Sequence, residues 1–135
     1  VFSFPVNVRY MEVDAQGVVF NGWYLTWFDE AMTYFLADRG LAYQAMVAQG
    51  FDVQLVRTEI DFKAGVRWGD QVEVLVSPSK LGNTSFALDF QVRRNGDEVT
   101  TNGRTTYVVV NTADYTKRPI PDALRKALGD PVPLH

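Results

Sequence analysis

The sequence predicts an α+β domain in which a curved five-stranded antiparallel sheet wraps around one central helix. Three observations point there. One long helical segment is apolar over most of its circumference, the later segments alternate with period two, and short turns join them. The 135 residues are read as a single domain over 1–135, long enough to bury a sizeable core.

Val6, Val8 and Tyr10 alternate with Asn7, Arg9 and Met11 and predict a first strand. The turn-like Asp14-Ala15-Gln16-Gly17 follows. Asn21 is suited to cap a helix over about 22–38, and Gly40 to stop it. Residues 41–48 suggest a short second helix before Gly50. In the long helix Thr26, Asp29, Glu30 and Thr33 share one stripe at roughly 100° per residue. Nearly everything else there is large and apolar, including Trp23, Tyr24, Trp27, Phe28, Tyr34 and Phe35. A helix on a flat sheet needs one apolar face; one that is apolar nearly all round must be enclosed.

The remaining segments supply the enclosure. A strand over about 52–63 carries Val53, Leu55, Ile60 and Phe62, and a slip in alternation at Val56-Arg57 reads as a bulge. Val72, Val74 and Val76 mark the third strand, and Phe86, Leu88, Phe90 and Val92 the fourth. The fifth, about 98–111, ends in Tyr107-Val108-Val109-Val110, apolar on both faces, which suggests that another subunit covers its outer side. Lys80-Leu81-Gly82-Asn83 and Asn95-Gly96, the latter a type I′ hairpin signal, make strands three to five a meander. Pro119 and Pro121 end this region, and residues 122–128 suit a last short helix. A curled antiparallel sheet around one helix is the hot-dog fold.

Composition narrows the chemistry. There is no cysteine, which removes disulfides, thiolate metal sites and Cys nucleophiles. The sole histidine, His135, is the last residue, where chains are usually mobile, so neither a Ser-His-Asp triad nor a His-rich metal site is expected. Any hydrolysis must run on carboxylates, backbone dipoles and water. A net charge of −3 without a basic run argues against nucleic acid. No apolar run approaches the roughly 18 residues that cross a bilayer, and Val1-Phe2-Ser3-Phe4-Pro5 lacks the basic region of a signal peptide. A cytoplasmic location without membrane insertion is expected, with no metal and no cofactor.

Asp14 falls just before the start of the long helix. A helix N-terminus presents unpaired N–H donors and partial positive charge, which suit an oxyanion developing from a carbonyl. A carboxylate beside it can act as nucleophile or base. By residue type alone, Asp14 reads more simply as a turn or capping residue, and Asn21 as a plain cap whose backbone could still serve the chemistry.

The stretch Arg9-Tyr10-Met11-Glu12-Val13-Asp14-Ala15-Gln16-Gly17-Val18-Val19-Phe20-Asn21-Gly22-Trp23-Tyr24 resembles the N-terminal signature of the 4-hydroxybenzoyl-CoA thioesterase family. That family includes the small bacterial acyl-CoA thioesterases associated with the Tol-Pal system. Tyr10, Val13-Asp14, Gly17-Val18-Val19-Phe20, Tyr24 and the following Leu25-Thr26-Trp27-Phe28-Asp29-Glu30-Ala31 carry the resemblance. It implies a hot-dog acyl-CoA thioesterase releasing a free acid and coenzyme A. Asp14 would be nucleophile or general base, the Asn21 backbone N–H would polarise the thioester carbonyl, and Gly17, Val18 and Tyr24 would meet substrate. Coenzyme A is then part of the substrate, and the chain is expected to form a homodimer or homotetramer with shared sites.

Many relatives carry His where this chain has Asn21 and Asn where it has Trp23, whose bulk is expected to reshape the acyl pocket. Relatives hold the nucleotide end of coenzyme A around the turn between the third and fourth strands. Here that implicates Lys80, Asn83, Thr84 and Ser85, with Arg57, Lys63, Arg67 and Arg94 as further cations. A distinct hot-dog family uses a helix Glu, yet Asp29 and Glu30 read more simply as the solvated stripe. Hot-dog dehydratases rely on a catalytic His that this chain does not place. The remaining alternative is a non-catalytic acyl-thioester binding or assembly module.

Overall fold

The computed structural model describes every residue from Val1 to His135. Its elements are β1 (Phe2–Val6), α1 (Trp23–Asp38), α2 (Tyr43–Ala48), β2 (Phe51–Phe62), β3 (Val72–Leu81), β4 (Ser85–Arg94), β5 (Glu98–Asn111) and α3 (Asp122–Leu128). The strands form one antiparallel sheet in the order β1-β3-β4-β5-β2. The sheet curls around α1, whose Tyr24, Trp27, Phe28, Ala31, Phe35 and Leu36 are buried with the inward residues of β3, β4 and β5. This is the hot-dog fold. No helix is long and apolar enough to cross a membrane.

Period two decides the strand faces. Val74, Val76, Leu88, Phe90, Val92 and Val109 alternate inward and are fully buried. The register between β2 and β5 shifts between Leu55 and Arg57, where the alternation slips. Asn95 and Gly96 both have positive φ, as a type I′ turn requires, but Arg94 pairs with Glu98, so the hairpin loop holds three residues. At the end of α1 the Leu41 N–H donates to Leu36 O and the Gly40 N–H to Ala37 O, with Gly40 at φ +85°. That is the Schellman ending which glycine permits.

Four expectations are corrected. The first strand lies earlier: β1 ends at Val6, and Tyr10–Glu12 is a 3₁₀ turn with Tyr10 77% exposed. The ladder stops because Val6 pairs with Val72, where β3 begins, leaving no partner for Val8 or Tyr10. Pro5 is tolerated because β1 is an edge strand. Asn21 does not cap α1; Gly22 holds that position and no side chain caps it.

Enclosure of α1 within one chain is one-sided, since Leu25 and Tyr34 remain exposed along with the polar stripe. The outer side of β5 needs no second subunit either. Val108 and Val110 are buried by the chain itself, where residues 111–118 double back and the Arg118 N–H reaches Val109 O. Beyond this return, α3 closes the end of the sheet near the C-terminus of α1. Leu124, Ala127 and Leu128 are buried there, while Arg39 bonds to Ala127 O and Arg125 to Gly82 O.

Candidate active site

Residues 13–19 form a small hairpin between the 3₁₀ turn and α1. Val13 bridges Val19, the Asp14 N–H donates to Val18 O at 2.9 Å, and the Gly17 N–H returns to Asp14 O at 3.0 Å. Gly17 has φ +80°, the left-handed geometry that makes glycine the fitting residue at this tip. Asp14 Oδ1 accepts the Gln16 N–H at 2.8 Å, so the turn-forming role is real. Its other oxygen has no partner in the chain.

The hairpin faces the connection after β2. The Val19 N–H donates to Val66 O at 2.8 Å, and Val18 packs directly against Gly65. Between them opens a cavity of about 360 Å³ whose walls include Asp14, Val18, Asn21, Tyr24, Phe62 and Lys63. The structure thus gathers Asp14, Val18, Asn21 and Tyr24 at one place, with Gly17 at the adjoining tip.

The backbone around the helix start is only partly used. Trp23 and Tyr24 donate their N–H groups to Phe20 O and Asn21 O, but those of Asn21 and Gly22 donate to no protein group. They are the open donors of this helix end. Tyr24 is buried and stacks edge-on against Phe62 at 5.1 Å. Burial pushes its hydroxyl up from the usual tyrosine range, opposed by Thr101, Val66 and Arg94.

Of the other expected residues, Lys63 lines this cavity and Arg67 lies against Gly17, whereas the turn expected to hold the nucleotide lies elsewhere. The turn with Lys80, Asn83, Thr84 and Ser85 is at the Ser85 end of β4, whereas Arg94, bonded to Gly65 O, marks the end near Asp14. At about 3.3 Å per residue these ends are roughly 30 Å apart, so one chain does not bring that turn to Asp14. Arg57 is paired with Glu59 and Arg94 with Glu98, while Lys63 and Arg67 form no ion pair. Trp23 lines neither this cavity nor the apolar one described next; its ring lies under the Arg9 guanidinium, 5.5 Å away. His135 contacts Gly103 O through its ring and accepts a bond from Arg104 at its carbonyl, away from the Asp14 cavity. No group of three or more His, Cys, Asp or Glu side chains converges as a metal site.

A second, apolar cavity of about 270 Å³ lies between α1, α2 and the Phe51 half of β2. Asp29, Met32, Leu36, Met46, Leu55 and Tyr107 are among its walls. The Tyr107 hydroxyl is buried without a hydrogen-bond partner. Desolvation raises the Asp29 carboxyl above the usual carboxylate range. Neither Asp29 nor Glu30 reaches the cavity of Asp14.

Two supports escaped the sequence reading. Gly65 gives no local signal beyond being a glycine. Glu12, two residues before Asp14, is only 2% exposed, and nothing in a strand-like alternation marks it as a buried acid.

The fold and the likeness to known proteins place the chain in one class, the thioester hydrolases built on the hot-dog fold. The chain matches the thioesterase superfamily over residues 16–101 and belongs to it. The acyl-CoA thioesterase YbgC of Haemophilus influenzae is 30% identical over 95 residues, 70% of each chain. The 1,4-dihydroxy-2-naphthoyl-CoA hydrolase of Synechococcus elongatus is 25% identical over 126 residues, 92% of each. Among solved structures, a hypothetical protein of Aquifex aeolicus superimposes with a TM-score of 0.90 at 26% identity, covering 96% of this chain and all of that one.

Proposed function

We propose that the protein hydrolyses acyl-coenzyme A thioesters at the cavity beside Asp14, releasing a carboxylic acid and coenzyme A. The observation that carries this is the meeting of an acceptor-only side chain with open donors. Asp14 keeps one carboxyl oxygen free, and Asn21, whose backbone N–H is unpartnered, belongs to the same wall. The carbonyl oxygen docks on the N–H groups at the helix start, where charge developing on it is stabilised. Either Asp14 takes a proton from a water that attacks the carbonyl carbon, or Asp14 attacks it and water then hydrolyses the resulting anhydride; in both cases the carbon–sulfur bond breaks and coenzyme A leaves as the thiolate. Relatives that act on acyl- and aroyl-CoA support this substrate class.

The cavity of Asp14 is open and half polar, so the acyl group needs a further compartment. The outer edge of β2 is unpaired along its length and exposes Leu55, Val56 and Phe62. Such an edge invites another strand. Antiparallel pairing with β2 of a second copy sets the Phe51 end of one beside the Phe62 end of the other. The apolar cavity of one copy then adjoins the Asp14 cavity of its neighbour. Within one chain, the seven residues from Leu55 to Phe62 separate these features by roughly 23 Å. The reading therefore includes a homodimer, or a homotetramer made of two such dimers, with sites shared between copies.

Thiol release from a panel of acyl- and aroyl-CoAs tests the proposal. Asp14→Asn should lower kcat by at least about a hundredfold while coenzyme A binding persists, the scale of losing a nucleophile or base. If wild type and Asp14→Asn are equally inert yet both bind coenzyme A, the chain is an acyl-thioester binding module instead.

A further inference from the structure

We propose that Glu12 is a positioning residue for this thioesterase site, setting where Asp14 stands relative to the open N–H groups of α1. The inference rests on the function proposed above and assigns a role to a buried side chain that does not touch the substrate cavity.

Glu12 is joined to both arms of the hairpin and to the helix beyond it. Asp14 is two residues downstream on one arm. On the other, the Phe20 N–H donates to Glu12 O at 2.8 Å, and Asn21 is the next residue. The carboxyl group turns away from the hairpin into the protein. Its Oε1 accepts the Arg9 N–H at 2.7 Å, and its Oε2 accepts the indole N–H of Trp27 at 3.1 Å and Arg9 Nη2 at 3.3 Å. Trp27 is buried in α1 one turn beyond the helix start, its ring tilted against that of Tyr24 with centroids 5.0 Å apart. The guanidinium of Arg9 also covers Trp23, the first residue of α1.

The internal bonds of residues 13–19 define the shape of the hairpin, not its placement. On this side, placement falls to the bond between Glu12 and Trp27, with Arg9 closing the other oxygen positions. A carboxyl buried this completely is retained only where its acceptor sites are filled, and here one of those bonds, from Trp27, joins the start of the hairpin to α1 while Arg9 fills the rest. Nucleophile and oxyanion donors come from opposite ends of one short loop. A shift between them changes the reaction geometry while leaving the cavity able to bind substrate.

The test compares wild type with Glu12→Gln, Glu12→Leu, Trp27→Phe, the Glu12→Gln/Trp27→Phe double variant, and Leu124→Ala as a destabilised control in α3. Each is assayed for kcat and KM on acyl-CoA and for thermal midpoint. Glu12→Leu should lower kcat about ten- to a hundredfold with KM within about threefold, the scale of an ångström-sized misplacement. Glu12→Gln keeps one accepting oxygen and should recover kcat to within about fivefold of wild type. Trp27→Phe should act in the same direction as Glu12→Gln, and the double variant should be no worse than the poorer single.

Unchanged kcat in the folded variants overturns the inference, as does a loss confined to KM or a loss that Leu124→Ala reproduces at equal destabilisation. If Glu12→Leu does not fold, Trp27→Phe, which removes the indole donor, decides the matter alone, and an unchanged kcat there overturns the inference. Should Asp14→Asn abolish turnover while these variants keep wild-type kcat, only the role of Glu12 falls. A wild type without thioesterase activity removes both readings.

Discussion

Gly65→Ala should slow the enzyme without unfolding it, because the one added methyl group meets the hairpin of Asp14. A Cβ built at Gly65 stands 2.6 Å from Val18 Cγ1 and 3.2 Å from Val18 Cβ. Carbon atoms in contact sit at about 3.5–4.0 Å, so something must move by about 1 Å. Val18 cannot swing aside easily: it is β-branched, and its Cβ is itself too close. The connection is braced from behind, since Arg94 bonds to Gly65 O and the Val66 carbonyl holds Val19 at 2.8 Å. The hairpin therefore absorbs the displacement, and Asp14 is bonded to Val18 within it.

A misplacement of about 1 Å costs on the order of 10²-fold in rate when it falls between reacting groups, and part of it relaxes here. The expected loss in kcat is about ten- to a hundredfold. Steady-state thiol release measures it, and circular dichroism confirms the fold. Gly65 is not in the left-handed region, so alanine meets no backbone strain. Without the clash, lower unfolded-state entropy would stabilise the protein by about 0.4–1 kcal/mol. Adding Val18→Ala removes the γ methyl groups and should restore kcat toward that of Val18→Ala alone. A Gly65→Ala enzyme within about twofold of wild-type kcat would refute the reasoning.

Two further substitutions test the scaffold. At Gly103 a Cβ would stand 2.6 Å from Phe28, whose ring stacks on Phe90 with centroids 4.4 Å apart. Gly103→Ala should therefore destabilise by about 1–3 kcal/mol, the overpacking range, and lower the urea midpoint with an unchanged m-value; an equal or higher midpoint contradicts the packing. Asp89 is fully buried, accepts two bonds from Arg104 at 2.6 and 3.0 Å, and takes the Leu134 N–H at 2.9 Å. Burial alone would raise its carboxyl, but these bonds and the charges of His135 and Arg104 hold it below the usual range. Its stabilisation is thus complete above the unfolded-state pKa near 3.9 and is lost as pH falls below that value. Asp89→Asn should cost about 1–3 kcal/mol at pH 7, less than a fully buried pair because Arg104 is partly exposed, and the difference from wild type should shrink at pH 3. A pH-independent difference in urea midpoint would show that the charge is not responsible.

The sheet was legible because its signals are local. Leu88, Phe90 and Val92 alternate with Asp89 and Gln91, Asn95-Gly96 marks the turn, and β5 occupies the residues its pattern predicts. The misread first strand shows where local signals stop. Val6, Val8 and Tyr10 keep one period, but only Val6 has a partner strand, and a ladder partner is a property of the whole sheet. Likewise, the apolar circumference of α1 pointed to enclosure, and one chain supplies only part of it: Leu25 and Tyr34 stay exposed.

The site divides in the same way. Asp14, Gly17, Val18, Asn21 and Tyr24 lie within eleven consecutive residues, so a motif could carry them together and one hairpin with the helix start brings them into one place. Its supports come from afar: Gly65 from beyond β2, Val66 beside it, and Trp27 from within α1. No spacing rule joins Glu12 to Trp27 or Val18 to Gly65, because each pair meets only after the sheet has curled. Residues at the hairpin tip should therefore govern which chemistry occurs, while these remote contacts govern how closely its parts are aligned. Substitution of Asp14 should lower turnover most. Those at the supports should leave binding and fold largely intact and lower the rate in proportion to the displacement they force.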